Sequence, residues 1–114
     1  MSNIKRNYKN SLNLRNYNVS ELPKNLTVEG YLNLEGSNIE KLPENLNVKG
    51  FLNLNNTNVT KLPKNLNVRG SLYLNGSKVE ELPTNINISG YIYLDKASTT
   101  KIPETFNSED IVYL

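Results

Sequence analysis

The chain contains no cysteine, no histidine and no tryptophan. Without cysteine there is neither a disulfide framework nor a thiolate metal site. Without histidine no nucleophile–imidazole pair can form, and no imidazole can ligate zinc or act as a base near neutral pH. An enzyme built from these residues would have to run on carboxylates, lysine or tyrosine, and no spacing supports one. The expectation is a protein that is not an enzyme, with no cofactor and no metal. The acidic pairs Glu80-Glu81 and Glu109-Asp110 lack calcium-loop spacing, and the glycines are isolated rather than gathered into a phosphate loop. Long apolar runs are missing as well. Nowhere do the about 18 apolar residues of a membrane-spanning helix occur together. The opening MSNIKRNYKNS holds no apolar stretch of signal-peptide length. A soluble, cytoplasmic protein with no membrane partner is expected. Charge of one sign is lacking too: 13 basic against 11 acidic side chains leave a net +2, so nucleic acid is not the expected partner.

What the chain does have is asparagine, at 21 positions, and strict repetition. Its 114 residues make one domain, and 37% hydrophobic residues allow only a thin core. Cut after Asn10 and every 20 residues thereafter, it reads SLNLRNYNVSELPKNLTVEG, YLNLEGSNIEKLPENLNVKG, FLNLNNTNVTKLPKNLNVRG, SLYLNGSKVEELPTNINISG, YIYLDKASTTKIPETFNSED and a remnant IVYL. Residues 1–10 read as a polar N-terminal cap. Residues 11–114 read as the repeat array, with repeats 11–30, 31–50, 51–70, 71–90, 91–110 and the partial 111–114.

Each column of the repeat has a physical reading. Block positions 2 and 4 are apolar throughout, from Leu12 and Leu14 to Val112 and Leu114, and alternate with polar or aromatic residues, which is strand periodicity. Positions 16, 18 and 20 continue that alternation backward. One inward face therefore reads Leu46, Val48, Gly50, Leu52, Leu54, with the glycine marking a bend between two short strands. Position 6 (Asn16, Gly36, Asn56, Gly76, Lys96) favours residues that tolerate positive φ, so the strand should end in a turn there. Position 13 is always proline, which forbids a helix interior and makes the return side extended. A single coil cannot bury its apolar face, so coils must stack.

The pattern LxLxxSxVxxLP resembles the short, LP-containing bacterial leucine-rich repeats, and the resemblance covers residues 11–114. It implies a mainly β fold: a single-domain leucine-rich-repeat-like β-solenoid of about five and a half coils, with a parallel sheet and an extended, proline-containing return side. Two departures make a more regular β-solenoid a variant of the same architecture. The family's asparagine after the strand is Tyr17, Ser37, Thr57, Ser77 or Ala97 here. Val28, Val48, Val68 and Ile88 sit four residues before the first strand leucine instead of three.

Block positions 1, 3 and 5 point outward from the strand. Six of the nine aromatic residues fall there: Tyr31, Phe51, Tyr73, Tyr91, Tyr93 and Tyr113. Tyrosine offers area with a polar tip, which suits interfaces, and the resemblance implies that this face binds. These six with Asp95 form the candidate partner-binding set. Stacking across strands is the structural alternative, at about 0.2–1 kcal/mol per pair. Asn13, Asn33 and Asn53 are read as a structural amide ladder. Asn47, Asn67, Asn87 and Asn107 are read as a second outward ladder, and Asn25, Asn45, Asn65 and Asn85 as turn residues bonding nearby backbone. Lys and Glu on adjacent coils are expected to pair.

The function expected is non-enzymatic protein–protein interaction, by a small inhibitor or adaptor that binds a host or target protein. Short free-standing repeats of this kind resemble phage and mobile-element proteins, which implies an inhibitor of a host enzyme or defence complex. The alternatives are carbohydrate or surface recognition by tyrosine rings and nucleic-acid binding through the basic middle coils (Lys49, Lys61, Lys64, Arg69, Lys78). Ice binding would need regular outward threonine where this chain has asparagine. Strand Ile111–Leu114 is expected to form the final edge, where a homodimer could pair.

Overall fold

A computed structural model describes residues 4–114. The chain winds as a parallel β-solenoid of about five turns, 38 × 22 × 19 Å in extent. Each regular coil contributes two very short strands. The smaller sheet holds β1 (Asn7–Tyr8), β3 (Thr27–Val28), β5 (Asn47–Val48), β7 (Asn67–Val68) and β9 (Asn87–Ile88). The larger sheet holds β2 (Leu12–Asn13), β4 (Leu32–Asn33), β6 (Leu52–Asn53), β8 (Leu72–Tyr73), β10 (Ile92–Leu94) and β11 (Ile111–Tyr113). Apart from one 3₁₀ turn at Ser108–Asp110, no helix occurs among the described residues, and none is long and apolar enough to cross a membrane.

Two sheets stand where the resemblance implied one, and the glycine column is the corner between them. At that corner the coils touch backbone to backbone. The amides of Gly50, Gly70 and Gly90 donate to the carbonyls of Gly30, Gly50 and Gly70 at 2.8, 3.0 and 3.0 Å. A Cβ on Gly70 would stand 2.7 Å from the Gly50 carbonyl carbon, so the glycine serves close approach here, not an unusual φ. The described part of the N-terminal cap does more than cover the end. β1 pairs in register with β3, with Tyr8 opposite Val28.

The core is a set of columns, each repeated once per coil. Leu26, Val28, Leu32 and Leu34 are fully buried, as are Leu46, Val48, Leu52 and Leu54 one coil on. The proline side is extended and then turns, and the turn asparagines Asn25, Asn45 and Asn65 have φ of 61, 60 and 61°. Position 6 behaves as expected in four coils: Asn16, Gly36, Asn56 and Gly76 lie at φ 60, 70, 57 and 70°. Lys96 breaks the pattern. β10 is one residue longer than β8 and the strands before it in the larger sheet, and its turn closes from Ser98 N–H to the Asp95 carbonyl (2.9 Å). In the coil before, the turn closes from Ser77 to Leu74 (3.1 Å).

Position 7 sits at this turn and buries polar atoms. Thr57 Oγ1 donates to the Leu54 carbonyl at 2.8 Å, a carbonyl position that the backbone N–H of Tyr17, Ser37 and Ser77 serves in the other coils. Ser37 Oγ is buried with no partner. Opposite outcomes follow for two isosteric changes. Thr57→Val should lower stability by about 1–2 kcal/mol, because a buried carbonyl loses its donor. Ser37→Ala should be neutral or stabilising by up to about 1 kcal/mol, because an unpaired buried hydroxyl is removed. Urea unfolding midpoints compared with wild type would check both signs.

The final edge forms as expected, but not in the expected register. β11 pairs with β10 so that Ile111 faces Ile92, Val112 faces Tyr93 and Tyr113 faces Leu94. The offset is one residue less than the repeat, and a one-residue slip exchanges the faces of a strand. Ile111, expected outward, packs against the core instead. The 3₁₀ turn, capped by Asn107 Oδ1 accepting from Glu109 N–H at 3.0 Å, replaces the next strand of the smaller sheet and takes up the difference.

Candidate functional site: an aromatic line across the larger sheet

The parallel pairing places one outward residue of each coil beside the next, so the larger sheet presents columns running along the rod. Five of the expected site residues form one continuous chain of ring contacts. Tyr31 and Phe51 stack face to face, centroids 4.7 Å apart and rings parallel. Phe51 meets Tyr73 edge to face at 5.7 Å and 86°. Tyr73 stacks on Tyr93 at 4.7 Å and 7°, and Tyr91 leans on Tyr93 at 6.3 Å and 59°. The line begins in position 1, crosses to position 3 between β6 and β8, and runs on there. The T-shaped contact is the crossing point, and both geometries suit the quadrupoles of the rings. Tyr31, Phe51, Tyr73 and Tyr93 are half-buried by this stacking, and Tyr91 is half exposed.

Two expected residues stand differently. Tyr113 faces Leu94 rather than Tyr93, because of the slipped register, and makes no ring contact among the described residues. Asp95 lies beside the line, but its Oδ2 accepts the Gly76 amide at 2.7 Å. The preceding coils supply a backbone carbonyl there: Asn55 to Gly36 at 3.1 Å and Asn75 to Asn56 at 2.8 Å. The extra residue of β10 carries the Asp95 carbonyl out of place, and the carboxylate substitutes for it.

The serines of position 1 support the site, and sequence reasoning passed over them. Ser11 Oγ accepts from Tyr31 N–H and Ser71 Oγ from Tyr91 N–H, both at 3.0 Å. Each serine stands one repeat before a tyrosine, which is the signal that could have found it.

The asparagines of position 3 do not form an amide ladder. Asn13, Asn33 and Asn53 use Oδ1 to accept the N–H two residues on, from Arg15, Glu35 and Asn55, at 3.2, 3.0 and 2.9 Å. That bond ends the strand locally. Only Asn53 reaches across, its Nδ2 donating to Glu35 Oε1 at 3.2 Å. Amide-to-amide bonds between coils occur instead on the return side, Asn38 to Asn18 at 2.6 Å and Asn45 to Asn25 at 2.9 Å. Asn47, Asn67 and Asn87 stand in register, yet no side-chain bond joins them among the described residues. The expected cross-coil ion pairing reduces, among the described residues, to Arg15 with Glu35 at 3.9 Å.

Concavities are shallow. One of about 780 Å³ lies at the turn between the fourth and fifth coils, with Lys78, Glu81, Asp95 and Lys101 among its walls and no aromatic ring. Among the described residues no group of three or more carboxylates gathers as metal ligands would. The basic residues of the middle coils do not converge. Lys49 and Arg69 flank the smaller sheet, Lys61 and Lys64 lie on the return side and Lys78 at a turn.

Stacked parallel strands of this kind define the class, a β-solenoid whose most distinctive surface is a line of aromatic rings. Compared with protein-family models, curated proteins and solved structures, the chain matches none.

Proposed function

We propose that this protein is a non-enzymatic, cytoplasmic protein-binding module of the leucine-rich-repeat kind, which occupies a partner protein with the outward face of its larger sheet. An inhibitor or adaptor is the role such a module fills, and a phage or mobile-element inhibitor of a host defence complex is its most specific form. The observation that carries the reading is the aromatic line from Tyr31 to Tyr91. Features that build the coil recur on every coil, and the line does not: it replaces the position-3 asparagines only from β8 onward. Aromatic side chains held rigid by one another present contact area at little entropic cost, which favours them as interface anchors.

The geometry weighs against sugar recognition as the main role. Stacking on a sugar needs an open ring face, and the stacks of Tyr31 with Phe51 and Tyr73 with Tyr93 take up one face of each of these rings. Scattered cations around the coil weigh against nucleic acid, which calls for a convergent basic surface.

The experiment is capture from host lysate, identification of the partner, and titration of the purified pair. Tyr73→Ser/Tyr91→Ser/Tyr93→Ser should weaken binding about 100-fold or more, the loss of central anchors, while its circular dichroism stays that of wild type. Tyr17→Ser, an exposed tyrosine off this face, should bind as wild type does. Equal affinity of the folded triple variant and wild type would assign the rings to sheet stability alone.

A further inference from the structure

The two ends of the rod differ in charge and share everything else an end-to-end contact needs. Among the described residues β2 and β11 each have a neighbour on one side only, so each presents a parallel strand edge. Of the large hydrophobic residues exposed among the described ones, Tyr17 lies in the first coil and Tyr113 and Leu114 at the last strand, while Tyr91 belongs to the aromatic line. Residues 4–20 carry Lys5, Arg6, Lys9 and Arg15 and no acid; all four are exposed. Around the other end exposed Asp95, Glu104, Glu109 and Asp110 outnumber exposed Lys96 and Lys101, and Glu109 and Asp110 lie in the 3₁₀ turn that takes the place of the next strand of the smaller sheet.

These groups also agree in position around the coil. Lys9 occupies block position 19, the column that runs Glu29, Lys49, Arg69, Ser89 and Glu109. A second copy translated along the axis keeps every strand parallel. It sets its β2 beside β11 and brings its Lys9 over Glu109, with its Lys5 over Thr105, the neighbour of Glu104.

We propose that the protein self-associates head to tail, the basic segment 5–15 of one copy on the acidic last coil of the next, continuing the larger sheet through the β11–β2 contact. Such a contact is heterologous and does not close on itself. It is also weak. A cross-section of 22 × 19 Å offers roughly 400 Å² per partner, half the about 800 Å² of a standard stable interface. Charge attraction across the junction is screened by salt within about 10 Å at 0.1 M.

Sedimentation of the 114-residue chain tests this. At low salt the weight-average mass should rise past the dimer between about 0.05 and about 1 mM protein, the range a small interface allows, and fall to monomer at high salt. Glu104→Lys/Glu109→Lys/Asp110→Lys should be monomeric throughout, and so should Lys5→Glu/Arg6→Glu/Lys9→Glu. An equimolar mixture of the two should associate again, because each supplies the end the other has lost. Three results would overturn the proposal: a monomeric wild type at the highest concentration, variants that associate as wild type does, or growth that stops at two copies with no rescue on mixing. The last would mean two-fold pairing of β11 edges.

Discussion

Gly70→Ala should destabilise the protein by about 4 kcal/mol or more, a magnitude reserved for substitutions that force backbone to move. The added Cβ would sit 2.7 and 2.8 Å from the carbonyl carbon and oxygen of Gly50 and 2.8 Å from the amide nitrogen of Phe51. These are main-chain atoms held in the corner ladder, with no rotamer to escape into. Relief requires the coils to separate at the corner, which breaks the Gly70-to-Gly50 hydrogen bond and pulls on the strands to either side. Thermal and urea unfolding of the variant would measure the loss. Gly36→Ala makes an informative companion. Its Cβ meets mainly the flexible side chain of Asn16, and its φ of +70° adds strain. It should cost about 1–2 kcal/mol. A Gly70→Ala protein as stable as Gly36→Ala would refute the close-approach account of the corner.

Leu52→Ala should cost about 3–5 kcal/mol, the range for a large-to-small change at a fully buried site that cannot collapse. Leu52 is 0% exposed, stands between Leu32 and Leu72 in the ladder, and lies in the middle coil. Against a total stability on the order of 6–17 kcal/mol for a chain of this size, the loss is a large fraction. The same change at Leu12, partly buried on the edge strand β2, should cost about 1–2 kcal/mol, since an end coil has a neighbour on one side only. Amide hydrogen exchange would separate the two. Leu52→Ala should lower protection in the coils on both sides, and Leu12→Ala only in the first. Equal losses at both sites would contradict a nearest-neighbour stack.

Much of this architecture was legible in the residues because one coil's physics recurs without insertion. The inward columns, the glycine bend between two strands, the turn at position 6 and the extended proline side each follow from the repeated placement of one residue type. What escaped were features that depend on two coils at once. Asn33 and Asn53 repeat in register, which suggested a ladder, but an asparagine oxygen two residues before a free amide finds that amide first. The slip at Ile111 accompanies the 3₁₀ turn that closes the fifth coil, which column-by-column reading cannot express. Five of the seven expected site residues do gather into one line. The crossing from Phe51 to Tyr73 was not legible, because it pairs different columns of neighbouring coils.

The strictness of the coil bears on how such a protein can change over generations. Each coil meets its neighbours through the same columns, so the joint between any two regular coils is nearly interchangeable with the next. A recombination that copies one 20-residue unit in frame would lengthen the rod by one strand spacing, about 4.8 Å, and leave every other joint intact. The aromatic line would not survive such copying unchanged, because its crossing occurs at a single joint. Length is therefore the trait this architecture varies freely, and the recognition surface is the trait held in place by where the copies fall.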